Sequence, residues 1–190
     1  MPSMIITETE RLIIRNWRET DRDLVFEINS DEAVMEFFPF RRNRAEADAF
    51  FDRVHSMIAE TGLGFYALEE KASGETIGFC GLARVDHLEP PIAKGTIEIG
   101  WRLAARYWGK GFASEAARAL LALGFEKLGL DQIVSFAVHD NTRSTSVMER
   151  IGMHRVAGGD FDHPNVPDTY PHLKRHVLYR LTADEWRVGR

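Results

Sequence analysis

The segment TIEIGWRLAARYWGKGFASEAARALLALGFEKL, residues 96–128, constrains this chain more than any other. Its first part, 96–103, alternates apolar and polar residues and reads as a strand. Its last part, 114–128, is rich in Ala and Leu and reads as a helix, with Gly129 as the stop. Between them stands Arg106-Tyr107-Trp108-Gly109-Lys110-Gly111-Phe112-Ala113. The two glycines let the backbone take dihedrals closed to other residues and approach a ligand closely. Amides at a helix start, with the helix dipole, favour an anion such as phosphate, and Arg106 and Lys110 add positive charge. The Walker pattern is excluded, because Gly111 and not Ser or Thr follows Lys110. The dinucleotide pattern G-x-G-x-x-G is excluded too, because Ser114 stands where its third glycine belongs. Two readings stay open at this point: a phosphate cradle, or a tight strand-to-helix turn.

Further strands are expected over 5–17, 64–68, 76–85, 132–138, 155–161 and 173–181, and helices over 20–35, 44–60 and 142–151. Pro39 breaks the pattern after Phe37-Phe38, and Ser73-Gly74 marks a hairpin turn. Helices come early, strands cluster in the middle, and a strand–helix–strand unit comes late. The expected class is α+β (mixed α/β), a mostly antiparallel sheet of about six or seven strands flanked by about four helices. No repeat, low-complexity tract or linker divides the 190 residues, so one domain over 1–190 is expected.

Charge narrows the partners. Lys plus Arg number 24 against 29 Asp plus Glu, a net charge of −5. No whole-protein basic field for nucleic acid exists, while a cationic amine is compatible. A single cysteine, Cys80, excludes an intramolecular disulfide framework and a Cys-rich zinc site. MPSMIITETERL does not read as a signal peptide, and no run approaches the ~20 apolar residues of a membrane span. A cytoplasmic protein is the simplest expectation.

A second motif, NTRSTSVMERIGM over 141–153, follows the strand QIVSFAV. Arg106-x-x-Gly109-x-Gly111-x-Ala113 resembles the acyl-coenzyme A pyrophosphate loop of the GNAT superfamily of N-acetyltransferases. Asn141-x-x-Ser144-x-x-Val147-Met148-Glu149-Arg150-Ile151-Gly152-Met153 resembles that superfamily's following strand–helix motif. The opening TERLIIRNWRETD and the closing HVLYRLTADEW resemble the branch containing the ribosomal-protein N-terminal acetyltransferases. The resemblance implies a GNAT-type fold, with the sheet splayed at a bulge for which Gly100 is suited, and acetyl-coenzyme A as cosubstrate without a metal. It implies that Trp101 and Leu103 offer backbone groups to the pantetheine arm. The backbone of Trp108, Gly109, Lys110, Gly111, Phe112, Ala113 and Ser114 would hold the pyrophosphate, supported by Arg106, and Asn141 would contact the cofactor arm.

Acetyl transfer from a thioester to an amine needs a base, a stabilised oxyanion and a departing thiolate. An α-amine has a pKa of about 8 and a lysine amine about 10.4. Glu98 is the expected base, direct or through a water, set by alternation on the face opposite Ile97 and Ile99. The alternative is a solvent-facing strand carboxylate. Backbone amides around residues 99–101 are the expected oxyanion donors. Many family members carry a tyrosine acid where this chain has Met148. Ser144, one helical turn earlier, then becomes the candidate acid, unless its hydroxyl only serves its own first turn.

Other residues carry plainer readings. His172 and His176 would sit about 13 Å apart on a strand, which argues against a metal site. His87 and His139 read as surface residues, and Cys80 as a small buried one. Phe37, Phe38 and Phe40 form either a substrate-facing flap or a packed anchor, and Trp17 either lines the acceptor site or packs. The expected activity is N-acetylation of a primary amine in a ternary complex: a protein N-terminus, a polyamine, an amino-acid-like metabolite or a drug. The alternative is a non-catalytic acyl-coenzyme A sensor. A monomer or homodimer is expected.

Overall fold

A computed structural model describes residues 4–189, so Met1–Ser3 of the segment inspected for a leader lie outside it. The strands are β1 Ile5–Glu8, β2 Leu12–Arg15, β3 Gly64–Glu70, β4 Thr76–Val85, β5 Thr96–Leu103, β6 Gln132–Val138, β7 His154–Arg155, β8 Phe161–Asp162 and β9 Arg175–Thr182. The helices are α1 Arg22–Ser30, α2 Arg44–Thr61, α3 Phe112–Ala122, α4 Thr142–Arg150 and α5 Ala183–Val188. The strand order is β1-β2-β3-β4-β5-β6-β9-β7, with β8 on β9. Two compact units share the chain. One is the chain up to Leu82 with Gly100–Leu120; the other is Ala83–Ile99 with the chain from Leu121.

In the first unit β1, β2, β3 and β4 pair antiparallel in sequence order, Ile14 opposite Leu68 and Tyr66 opposite Cys80. Helix α2 shows why this sequence folds as it does. Ala47, Phe50, Phe51, Val54 and Ile58 recur at helical spacing and are buried. Asn43 Oδ1 accepts from Glu46 N (2.9 Å) and Glu46 Oε2 from Asn43 N (2.9 Å), a capping box that starts the helix. Gly62, at φ 76°, ends it in the left-handed region. Burying each large apolar side chain contributes about 1.5–3 kcal/mol. Arg15, 1% exposed, and Asp21, 4% exposed, form an ion pair inside this unit at 2.8 Å.

In the second unit β6 and β9 run antiparallel from Gln132↔Thr182 to Val138↔His176. β5 lies parallel to β6, Glu98 opposite Val134. Val85, Leu88, Ile92 and Phe161 pack with Phe136 and Leu178.

The mixed sheet agrees with the expected class, and β4, β5 and β6 have the bounds read from the sequence. Three expectations change. The single strand over 5–17 is a hairpin, because the chain turns at Thr9, whose N–H donates to Leu12 O at 2.9 Å. The strand over 155–161 is only its two ends, β7 and β8, because Gly158 at φ 71° turns the chain between them. The first helix stops at Ser30, where Asp31 goes extended and its carboxylate accepts from Ala33 and Val34 N–H. The strands therefore number nine among the described residues rather than six or seven, and α5 brings the α-helices to five.

Candidate functional site

The glycine segment lies in the first unit. Strand β5 ends at Leu103, residues 105–107 form one 3-10 turn, and α3 starts at Phe112. Gly109 and Gly111 have φ of 72° and 81°, the left-handed region that favours glycine. A Cβ on Gly109 would meet nothing within 4 Å, so the strand-to-helix path is open there. The first bond internal to the helix start runs from Glu115 N to Gly111 O, 3.0 Å. Amides of a helix's first turn lack intrahelical acceptors and point outward. The turn is braced from outside. Arg11 donates to Lys110 O (3.0 Å) and to Glu115 Oε2 (2.6 Å), and its guanidinium lies 4.3 Å from the Phe112 ring centroid. Trp108 Nε1 donates to Leu103 O at 3.0 Å, which closes the loop on its own strand. Arg106 is ion-paired with Glu27. Lys110 Nζ lies 5.4 Å from the Tyr107 ring centroid. Trp101 is half-buried; Leu103, Phe112 and Ser114 are buried. A Cβ on Gly100 would come to 3.1 Å from the Phe65 ring.

In the second unit Glu98 is half-buried on β5 and pairs with no cation among the described residues. Burial alone pushes its carboxyl up to about 7. Ser135 Oγ donates to Ile99 O at 2.9 Å and fixes the next residue of the strand. Asn141 is the N-cap of α4, its Oδ1 accepting from Ser144 N at 3.2 Å. Ser144 is half-buried and its hydroxyl makes no hydrogen bond among the described residues. Met148 is a core side chain, 1% exposed.

A family model described as "Acetyltransferase (GNAT) domain" matches residues 11–154. The chain belongs to the GNAT acetyltransferase family. It is an N-acetyltransferase by that membership and by its relatives. The FsC-acetyl coenzyme A-N(2)-transacetylase of Aspergillus fumigatus is 30% identical over 94% of this chain and 76% of its own length. An acetyltransferase of the GNAT family from Bacillus anthracis is 27% identical, at a TM-score of 0.75 over 93% of this chain and 98% of that one. A ribosomal-protein-serine acetyltransferase structure from Vibrio cholerae is similar in fold, with a TM-score of 0.71 over 95% and 98% at 20% identity.

The acetyltransferase places the remaining expected residues as follows. Trp17 is 2% exposed; its Nε1 donates to Phe65 O (2.8 Å) and its ring meets Phe51 edge-on, so it packs in the core. Phe38 is half-buried under the Arg102 guanidinium, 4.4 Å from its ring centroid. Cys80 is fully buried, which pushes its thiol up and makes it unreactive. His172 lies in the 3-10 turn Pro171–Leu173 and His176 on β9. His176 packs instead against His163, ring centroids 4.9 Å apart, and burial pushes His163 down to about 4. No group of three or more His, Cys, Asp or Glu among the described residues could hold a metal ion. Sequence reasoning missed Arg11, Arg42 and Arg102. The position of Arg102, two alternations beyond Glu98 on β5, was the available signal.

Proposed function

We propose that this acetyltransferase, as one domain, moves an acetyl group from acetyl-coenzyme A to a primary amine by direct attack, with Glu98 as base. The observation that carries the reading is the Glu98 carboxyl: half-buried, without a cation, and raised to about 7, on the strand that leads into the glycine turn. A base with a pKa near the working pH is partly ionised yet strong enough to take an amine proton. The amine nitrogen gives its proton to Glu98 and bonds to the thioester carbon. The oxyanion is held by backbone amides around residues 99–101. Its collapse breaks the C–S bond, and the thiolate takes a proton from solvent or from Ser144. A thiol pKa of about 8.5 makes solvent sufficient.

The coenzyme's pyrophosphate fits the Gly109–Gly111 turn through backbone amides, since Arg106 already serves Glu27. The name of the Aspergillus relative, FsC-acetyl coenzyme A-N(2)-transacetylase, supports the donor. A cytoplasmic location belongs to this reading; no helix among the described residues is long and apolar enough to cross a membrane.

Free-thiol release over a panel of amines tests the reading. Turnover of at least one primary amine supports it; binding of acetyl-coenzyme A without turnover of any favours a sensor. Gly111→Val puts a β-branched side chain at φ 81°. Acetyl-coenzyme A affinity by calorimetry is expected to fall about 10-fold or more, as strain of about 1–3 kcal/mol distorts the turn. Unchanged affinity with the fold intact would remove the turn from the site.

A further inference from the structure

Two half-buried arginines of the first unit share a single neutral acceptor. Arg102 Nη1 donates to Asn29 Oδ1 at 2.8 Å, and Arg42 Nη1 donates to the same oxygen at 2.5 Å. Asn29 is fully buried, and its own amide is spent on Val25 O at 2.7 Å. One neutral oxygen thus serves two positive charges. No carboxylate lies within 4.0 Å of either guanidinium among the described residues, and Arg102 Nε is buried with no hydrogen-bond partner. Arg15, Arg22, Arg41 and Arg44, by contrast, each hold a carboxylate.

Aromatic rings fix the pair in place. Arg42 lies 4.5 Å from the Phe40 centroid and 4.8 Å from Phe50; Arg102 lies 4.4 Å from Phe38 and 5.2 Å from Phe79. Arg42 also lines an open cavity of about 380 Å³ with Phe40, Arg41, Glu46, Ala49 and Arg53. Glu46 there is committed to the Asn43 N–H. Burial, then the Arg42 charge, pushes the Arg102 guanidinium down to about 9, the direction for a cation missing its counter-charge. A charge partly withdrawn from water without a counter-charge is costly, and a protein with more acids than bases had carboxylates to spare.

We infer that the acceptor amine carries an oxyanion, which Arg42 and Arg102 bind together. Planar guanidinium forks suit carboxylate and phosphonate oxygens, and the aromatic rings hold both guanidiniums in place. A polyamine would instead bring further positive charge to the pair. Arg102 follows Glu98 by four residues on β5. The inference rests on the acetyl-transfer reading and names its substrate class.

The test compares matched amines by thiol release: phenylalanine against phenylalanine amide, and 2-aminoethylphosphonate against ethylamine. The expected kcat/KM ratio, charged over neutral, is about 10 or more in at least one pair; which pair responds tells carboxylate from phosphonate. Arg42→Gln and Arg102→Gln are expected to bring the ratio near 1 with KM for acetyl-coenzyme A unchanged, and Arg102→Lys to restore part of it. Arg42 is half-buried and lines the cavity, so its variant decides the matter if Arg102→Gln fails to fold. Ratios near 1 in the wild type, or a rise in KM for acetyl-coenzyme A instead, would overturn the inference while leaving acetyl transfer standing. If no amine turns over, acetyl transfer fails, and NMR decides separately. The arginine Nε–Hε signals should shift with N-acetylphenylalanine and not with its amide; no shift would overturn the inference.

Discussion

Glu98→Gln is expected to lower kcat/KM for the acceptor amine by about 10²–10⁴-fold, the usual contribution of a general base. The wild-type pH profile should show why. Glu98 works ionised, and burial raises its carboxyl to about 7, so kcat/KM should climb with pH through an inflection near that value. An α-amine adds its own ionisation at about 8; the variant should keep that limb and lose the lower one. Stability should move the other way. A carboxyl whose folded pKa is raised contributes stability below its unfolded pKa, near 4.3, and this is lost as pH rises through about 7. At pH 8 the wild type therefore holds a desolvated charge that glutamine removes. The variant should melt above the wild type at pH 8, so loss of activity cannot come from unfolding. A variant within twofold of wild type, or an inflection at the ordinary glutamate value, would remove Glu98 from the chemistry.

Features that depend on local order were legible in the residues. Strand alternation bounded β4, β5 and β6, and the spacing of Phe50, Phe51, Val54 and Ile58 placed α2. The positive φ of Gly109 and Gly111 follows from their place in a strand-to-helix turn. What escaped depends on partners distant in sequence. The hairpin turn at Thr9 is tied to Glu115, more than a hundred residues on, through Thr9 Oγ1 (2.6 Å) and Arg11. The small residues of β4 read as ordinary strand positions. Yet a Cβ on Gly78 would come to 2.3 Å from Arg102 O, and one on Gly81 to 1.9 Å from Gly64 O, so their absent side chains let backbones meet. Arg102 is the instructive case. Alternation shows its face, but its lack of a counter-ion exists only once Asn29, Phe38 and Arg42 are folded around it. T-x-x-E before α5 was a readable capping box, made by Thr182 and Glu185.

Asp21→Ala should be among the costly changes in the first unit, at about 3–5 kcal/mol, because it breaks a buried ion pair and leaves Arg15, 1% exposed, with Glu69 (2.7 Å) as its remaining carboxylate. For a chain this size that is a drop in Tm of about 6–20 °C. Asp21 accepts from Arg15 Nη1 (2.8 Å) and Nη2 (3.2 Å), Thr76 Oγ1 (2.6 Å) and Arg18 N (2.7 Å). Burial by itself would raise its carboxyl, but these donors outweigh burial and hold it below the usual carboxylate range. A depressed folded pKa gives stability above the unfolded value, about 3.9, lost as pH falls through the folded one. The gap in Tm between wild type and Asp21→Ala should therefore be full at pH 7 and narrow below about pH 4. The double variant Arg15→Met, Asp21→Ala should lose less than the sum of the single losses, since no charge is left unpaired. A shift under about 2 °C, or a gap constant with pH, would refute the network's role. The consequence reaches the site, because Asp21 immediately precedes α1. That helix carries Glu27, which pairs with Arg106, and Asn29, which holds Arg42 and Arg102. Loosening its start should blunt discrimination for the charged amine before the unit unfolds.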